Sequence, residues 1–228
     1  MIDFFAGYAE HLPQWLPRLW DAALVTARLS VAGFGVALLG GLVLVAMLRG
    51  SWAPSRWLAR VFIQTMRTVP LLALLLTLYF ALPPRGITLP GYWAGVIGLG
   101  LHGAAYVAEV FRGGLGAIHK GQREAALAVG LTPRQVFLRV IWPQALRLML
   151  PPLLNAYVAL LKDSSLCALI ATDELMLTAR AMSSEFFLPM HVFLLVGLFY
   201  FAIAFPLSMC SRLLERRLAR GRRVMGAA

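Results

Sequence analysis

Apolar runs long enough to cross a bilayer limit what this chain can become. Leu29 to Leu48 is twenty residues without a charge, the length a helix needs to traverse a hydrocarbon core of about 30 Å. Inside that core each backbone N–H and C=O must be satisfied within the segment, which for separated apolar runs means α-helix. Further runs cover residues 61–82, 91–108, 148–172 and 186–211. The expected fold is an all-α integral membrane protein, with about five transmembrane helices in one domain. Charged residues are only 14% of the 228, against about a quarter in soluble domains, so a soluble globular class is excluded.

Two of the runs carry faces of small residues. Gly33, Ala37 and Gly41 recur every fourth residue in the first, and Gly100, Ala104 and Ala108 do so in the third. Such faces let helix backbones approach closely. Residues 1–28 mix Phe4, Phe5, Tyr8, Trp15 and Trp20 with Asp3, Glu10, Pro13 and Pro17. An external segment lying at the membrane interface is expected there. It lacks the basic start of a cleaved signal peptide. The second run holds Arg67, with Pro70 expected to bend it. Residues 173–185 read as a polar link.

The net charge of +11 is distributed as membrane topology demands. Arg49, Arg56 and Arg60 occupy the first loop. Arg112, Lys120, Arg123, Arg134, Arg139 and Arg147 flank a polar insert after the third run. Arg212, Arg216, Arg217, Arg220, Arg222 and Arg223 fall in the tail, residues 212–228. Only Arg18, Arg28, Arg85 and Arg180 lie on the other face. By the positive-inside rule the insert and the C-terminus are cytoplasmic and the N-terminus external. This accounts for the basic excess without a nucleic-acid partner.

The insert, GQREAALAVGLTPRQVFLRVIWP from Gly121 to Pro143, has its own signals. Residues 122–129 are good helix formers, and Gly130 suits the position just past a helix end. Thr132, Pro133 and Gln135 spell an N-cap, a first-turn proline and a capping box. Two short helices joined at a glycine, with Ile141-Trp142-Pro143 closing the insert, would form a knob outside the bilayer. It is either a connector or a docking element, with Glu124 and small Ala125, Ala126 and Ala128 meeting a partner.

Ionisable residues at membrane depth are the other informative feature, being costly unless used. Arg67 sits near a span end, where snorkelling or a role in a path are both open. Glu109 is placed to pair with Arg112, about one turn on. Lys162-Asp163-Ser164-Ser165 falls mid-run, where an unwound segment lining a cavity is one reading. Pairing with other helices is the second. Cys167 and Cys210 sit in apolar runs, and His11, His102, His119 and His191 lack metal-ligand spacing. No catalytic constellation and no phosphate-binding G-x-x-x-x-G-K-[ST] motif is present.

Glu124-Ala125-Ala126, Gly130 four residues on, and Ile141-x-Pro143 resemble the EAA loop of ABC-importer permeases. Four further blocks resemble the polar-amino-acid group (histidine, glutamine, arginine, cystine and opine permeases). They are Arg67-Thr68-Val69-Pro70-Leu71-Leu72, Ala108-Glu109-Val110-Phe111-Arg112-Gly113-Gly114, Lys120-Gly121-Gln122 and Lys162-Asp163-Ser164-Ser165-Leu166. The matches run in order from about Ala23 to Leu213. Thr68-Val69 departs from the common Gly-Thr, and Cys167-Ala168 follows the Lys-Asp block.

The resemblance implies a permease domain over residues 29–211, with a cytoplasmic coupling-helix loop over 112–147. Glu124, Ala125, Ala126, Gly130 and Pro143 would couple to an ATPase. Arg67, Thr68, Lys162, Asp163 and Ser164 are the substrate-path candidates. The implied partners are ABC ATPase subunits, a second permease chain (itself or a relative), an extracytoplasmic amino-acid-binding protein and membrane lipid. No cofactor is expected in this chain, with ATP and Mg on the ATPase. The implied location is a bacterial inner membrane. A stand-alone secondary transporter or channel, and a non-transporting scaffold, are the two alternatives.

Overall fold

The computed structural model describes residues 2–225, and their side chains from Gly7 to Leu218. Phe4, Phe5, Arg220, Arg222 and Arg223 lie outside the described side chains. Helix α1 (Ile2–Arg49) is continuous for 48 residues, about 70 Å at 1.5 Å per residue. The boundary expected at Arg28 therefore falls inside a helix. Pro13 and Pro17 are carried within it. Burial accounts for the difference: Trp15, Leu19, Ala22 and Ala23 are buried with residues of the C-terminal helices. Such packing outweighs the roughly 3 kcal/mol that a helix-interior proline costs.

After a short turn come α2 (Ala53–Thr68) and α3 (Leu71–Phe80). The loop expected over 49–60 is thus mostly helix. The bend expected at Pro70 is a break of 102°. Pro70 lacks an N–H and forces Val69 into extended backbone, so two consecutive extended residues part the helices. Among the described residues, four helical segments are long and apolar enough to cross a membrane, or five if α2 and α3 together make one span.

Helix α4 (Gly91–Gly116) and α5 (Lys120–Ala128) follow. Then α6 (Pro133–Gln135) runs through a π-helical stretch, Val136–Ile141, into α7 (Trp142–Asp163). The second helix of the insert is therefore not a separate short element. Ile141-Trp142-Pro143 lies inside a continuous helical run, and the π turn just before Pro143 widens the helix where a proline ring would crowd the carbonyl four residues back. A 3₁₀ segment (Ser164–Ile170), α8 (Leu175–Phe186) and α9 (Pro189–Met225) complete the chain. The expected polar link is helix α8, and the expected tail continues α9.

The two small-residue faces meet. α1 and α4 form the most extensive helix pair. A Cβ added at Gly41 would lie 2.5 Å from Val107 Cγ1, and one at Gly100 would lie 2.4 Å from Val36 Cγ1. Inside a bilayer no hydrophobic drive separates helix from lipid, so close packing of this kind holds the bundle. A second buried cluster joins the first half of α1 to α8 and the start of α9, around Trp15, Leu19, Leu175, Met182 and Val192.

Glu174 starts α8. Its Oε1 accepts from the Met176 and Leu177 N–H groups at 2.8 and 3.0 Å, and its Oε2 from Tyr200 Oη at 2.7 Å. Thr26 Oγ1 of α1 accepts from the Leu175 N–H at 3.1 Å. This wholly buried N-cap satisfies helix-end donors that have no partner within the helix.

A candidate cavity at mid-membrane and an exposed knob

A cavity of about 250 Å³ opens between α1, α3, α4 and α7, lined by Phe34, Leu71, Leu99, His102, Tyr106, Leu160 and Asp163 among others. Asp163 ends α7 and His102 sits near the middle of α4, on the facing wall. His102 Nδ1 is buried without a hydrogen-bond partner, a costly state for a polar atom. Tyr106, one turn along α4, sets its ring 5.2 Å from the His102 ring, tilted by 45°. The Arg67 guanidinium lies 5.9 Å from the other end of this row, over the Tyr106 ring, within reach of a cation–π attraction. A carboxylate, an imidazole, a phenol and a guanidinium thus run in sequence along apolar walls.

The knob stands outside the spans. His119 Nδ1 accepts the Gly121 N–H at 3.1 Å and caps α5. At the other end the Gly130 N–H donates to Leu127 O at 3.0 Å and the Leu131 N–H to Ala126 O at 3.2 Å. These are the paired bonds of a Schellman motif, with Gly130 left-handed at φ +83°. Thr132 and Gln135 form the reciprocal capping box. Glu124, Ala125, Ala128 and Val129 are exposed, Val129 by 78%. Ala126 is buried and packs inward.

A family model described as the binding-protein-dependent transport system inner membrane component matches residues 33–223. The chain belongs to that family. It is a multi-pass inner-membrane transport component. It is 35% identical over 221 residues to the probable glutamine ABC transporter permease protein GlnP of Bacillus subtilis strain 168, covering 95% of this chain and 99% of that one. It is 36% identical over 206 residues to the glutamine transport system permease protein GlnP of Escherichia coli K12, covering 89% and 94%. Among solved structures, an amino acid ABC transporter crystallised with histidines matches with a TM-score of 0.85 and 30% identity, over 90% of this chain and 96% of that one. The inward-facing methionine ABC transporter MetNI shares the fold at 20% identity, with a TM-score of 0.62.

In this family member the five path candidates separate into different places. Asp163 reaches the cavity. Ser164 is wholly buried, and its Oγ donates to Leu161 O at 2.7 Å. Lys162 faces away from the cavity, into a groove against α9 with Tyr200 and Arg212. Thr68 Oγ1 donates to Gln64 O of its own helix at 2.7 Å. Arg67 reaches only the edge, through Tyr106. Glu109 accepts from Arg112 Nε at 3.1 Å, the local pair expected.

Of the coupling candidates, Glu124, Ala125 and Gly130 are on the knob surface, Ala126 is inside it, and Pro143 lies beyond it at the start of α7. Reasoning from sequence missed His102 and Tyr106. Their spacing of four, inside an apolar run, was the available signal. It also missed the exposed Leu127 and Val129. Among the described residues no three His, Cys, Asp or Glu side chains converge as a metal site requires.

Proposed function

We propose that this chain is the permease subunit of an ATP-driven importer of polar amino acids, and that the Asp163–His102 cavity is its substrate contact. The observation that carries the reading is the cavity itself. It sits between spanning helices of an inner-membrane transport component, beside the middle of α4, with the Asp163 carboxylate and the His102 ring on apolar walls. An amino acid presents an ammonium to Asp163 and a carboxylate or side-chain amide to His102. The volume is near the lower end of the few hundred Å³ usual for small-molecule sites. Relatives named as glutamine and amino-acid permeases support this substrate class.

The knob is the ATPase-docking element in this reading. Glu124 offers a charge and Ala125, Ala128 and Val129 offer apolar surface, on a helix whose two ends are capped. ATP and Mg are held by the separate ATPase subunits. A second permease chain completes the pathway, and a binding protein delivers substrate externally. ATP binding draws the knobs together and favours the outward-open state, so the cycle is an equilibrium between two states biased by the ATPase. The knob and C-terminus are cytoplasmic and the N-terminus external, in accord with the basic residues at the knob end. A stand-alone carrier or a scaffold would leave the knob without an occupant.

Co-purification with the neighbouring gene products tests the docking. The native chain is expected to retain an ATPase in mild detergent, and Glu124→Lys to lose it by reversing the charge at the contact. An ATPase held equally by both chains would remove the knob from the coupling.

A further inference from the structure

At the base of the knob lies a second pocket, of about 390 Å³. Arg49, His119, Lys120 and Arg123 line it, and no carboxylate does. Among the described residues, neither Arg49, Lys120 nor Arg123 enters a salt bridge. Arg49 is held over the Phe137 ring at 6.0 Å. His119 accepts the Gly121 N–H through Nδ1, which leaves its Nε2 as a donor. Lys120 and Gly121 also begin α5, so the positive end of a nine-residue helix adds to the cations. Unneutralised cations gathered in one pocket repel one another unless an anion is present.

The placement says what kind of anion. Arg49 is the last residue of α1, and Gly116 the last of α4. The pocket therefore sits at the ends of two helices long and apolar enough to span a bilayer, the end that would meet lipid headgroups. The rest of its wall is apolar: Leu115, Ile118, Val136, Phe137 and Ile141. Charged donors at headgroup level above an apolar wall match a phosphate with acyl chains attached. We propose that this pocket binds the phosphate of an anionic phospholipid, bridging the end of α1 to the start of the knob helix. Basic pockets between membrane helices are the general form of such sites. Lipid occupancy would then stiffen the knob on its base.

The test uses the tagged full chain with whatever subunits co-purify, titrated with phosphatidylglycerol or phosphatidylcholine and read by native mass spectrometry. Phosphatidylglycerol is expected to bind at least on the order of 10-fold more tightly than phosphatidylcholine, at roughly 5-fold for each cation engaged. Arg49→Gln with Lys120→Gln should abolish that preference, and Arg216→Gln with Arg217→Gln on the exposed end of α9 should keep it. Equal binding of the two lipids by the native chain overturns the proposal, and this needs no variant. So does a preference that survives the Arg49 and Lys120 changes. Displacement of the lipid by inorganic phosphate would make the site one for a soluble anion. Loss of the ATPase from the Arg49 and Lys120 variant, with lipid preference retained, would assign the pocket to the docking face instead.

Discussion

The knob holds its shape through bonds among residues 119 to 135, whereas the cavity wall is assembled from α1, α3, α4 and α7. In the knob each helix end is closed by a partner within about five residues: His119 for Gly121, Leu131 for Ala126, Gln135 for Thr132. In the cavity, Phe34, His102 and Asp163 come from three helices and meet only because the helices pack in one register. A locally closed element survives changes in its surroundings. A site built across helices depends on every interface that sets the register. The knob's shape is therefore set locally, while the cavity responds to small shifts between helices.

The largest effect should fall on the interface that both regions hang from. Gly100→Leu would place a Cβ 2.4 Å from Val36 Cγ1 and 3.3 Å from Gly33 O, where backbone and a stiff β-branched side chain leave little room to give. Overpacking of this kind costs about 3 kcal/mol. The expected outcome is loss of the monodisperse peak in size-exclusion chromatography of the tagged chain, with knob and cavity failing together. A well-folded Gly100→Leu protein with normal uptake would mean that α1 and α4 do not set the register of the cavity.

Next comes a change confined to the cavity. Asp163→Asn keeps the shape and removes the charge. Losing a hydrogen bond to a charged group predicts a fall in uptake of about 10- to 100-fold, with ATPase co-purification unchanged. Ser164→Ala is the contrasting neighbour. Its hydroxyl is turned back to Leu161 O and away from the cavity, so uptake should stay near the native level. Normal transport by Asp163→Asn would take Asp163 out of the path. A loss with Ser164→Ala equal to that with Asp163→Asn would mean the hydroxyl turns toward substrate during the cycle.

The same contrast decides how far the sequence could be read. Knob features were legible because their causes are a few residues apart. Gly130 past a run of helix formers and Thr132-Pro133-x-Gln135 each specify a local geometry that occurs. The small faces at Gly33–Gly41 and Gly100–Ala108 were legible too, though which faces they would meet was not. Asp163 was flagged by its place in an apolar run and by the Lys-Asp block, but His102, on the facing wall, lies 61 residues earlier, and only the packing of α4 on α7 brings them to one cavity. α8 was hidden for the same reason. Residues 173–185 read as a polar link, yet Glu174 is buried: the Met176 and Leu177 N–H groups of its own helix and Tyr200 of α9 satisfy it, and only the packing of α9 brings the last of these. The run-on of α1 through Pro13 and Pro17 likewise depends on distant partners.

The smallest effect, and the sharpest for the knob, comes from Gly130. A Cβ there would meet nothing within 4 Å, so a substitution acts through the backbone alone. At φ +83° an alanine costs about 1 kcal/mol, whereas asparagine tolerates this region better. Since the motif ties Leu131 to Ala126, strain at residue 130 is relieved by fraying the end of α5, which carries Ala128 and Val129. Gly130→Ala should therefore weaken ATPase retention about 5-fold, the equivalent of 1 kcal/mol, and Gly130→Asn by less. Substrate affinity at the cavity should be unchanged in both, because no bond of the motif reaches α4 or α7. Titration of the ATPase against immobilised permease reads the first quantity, and binding of a labelled polar amino acid that the native complex takes up reads the second. If Gly130→Ala and Gly130→Asn weaken the ATPase equally, the left-handed backbone is not what matters at this position. If either also shifts substrate binding, the knob is not closed on itself, and the two regions are not independent.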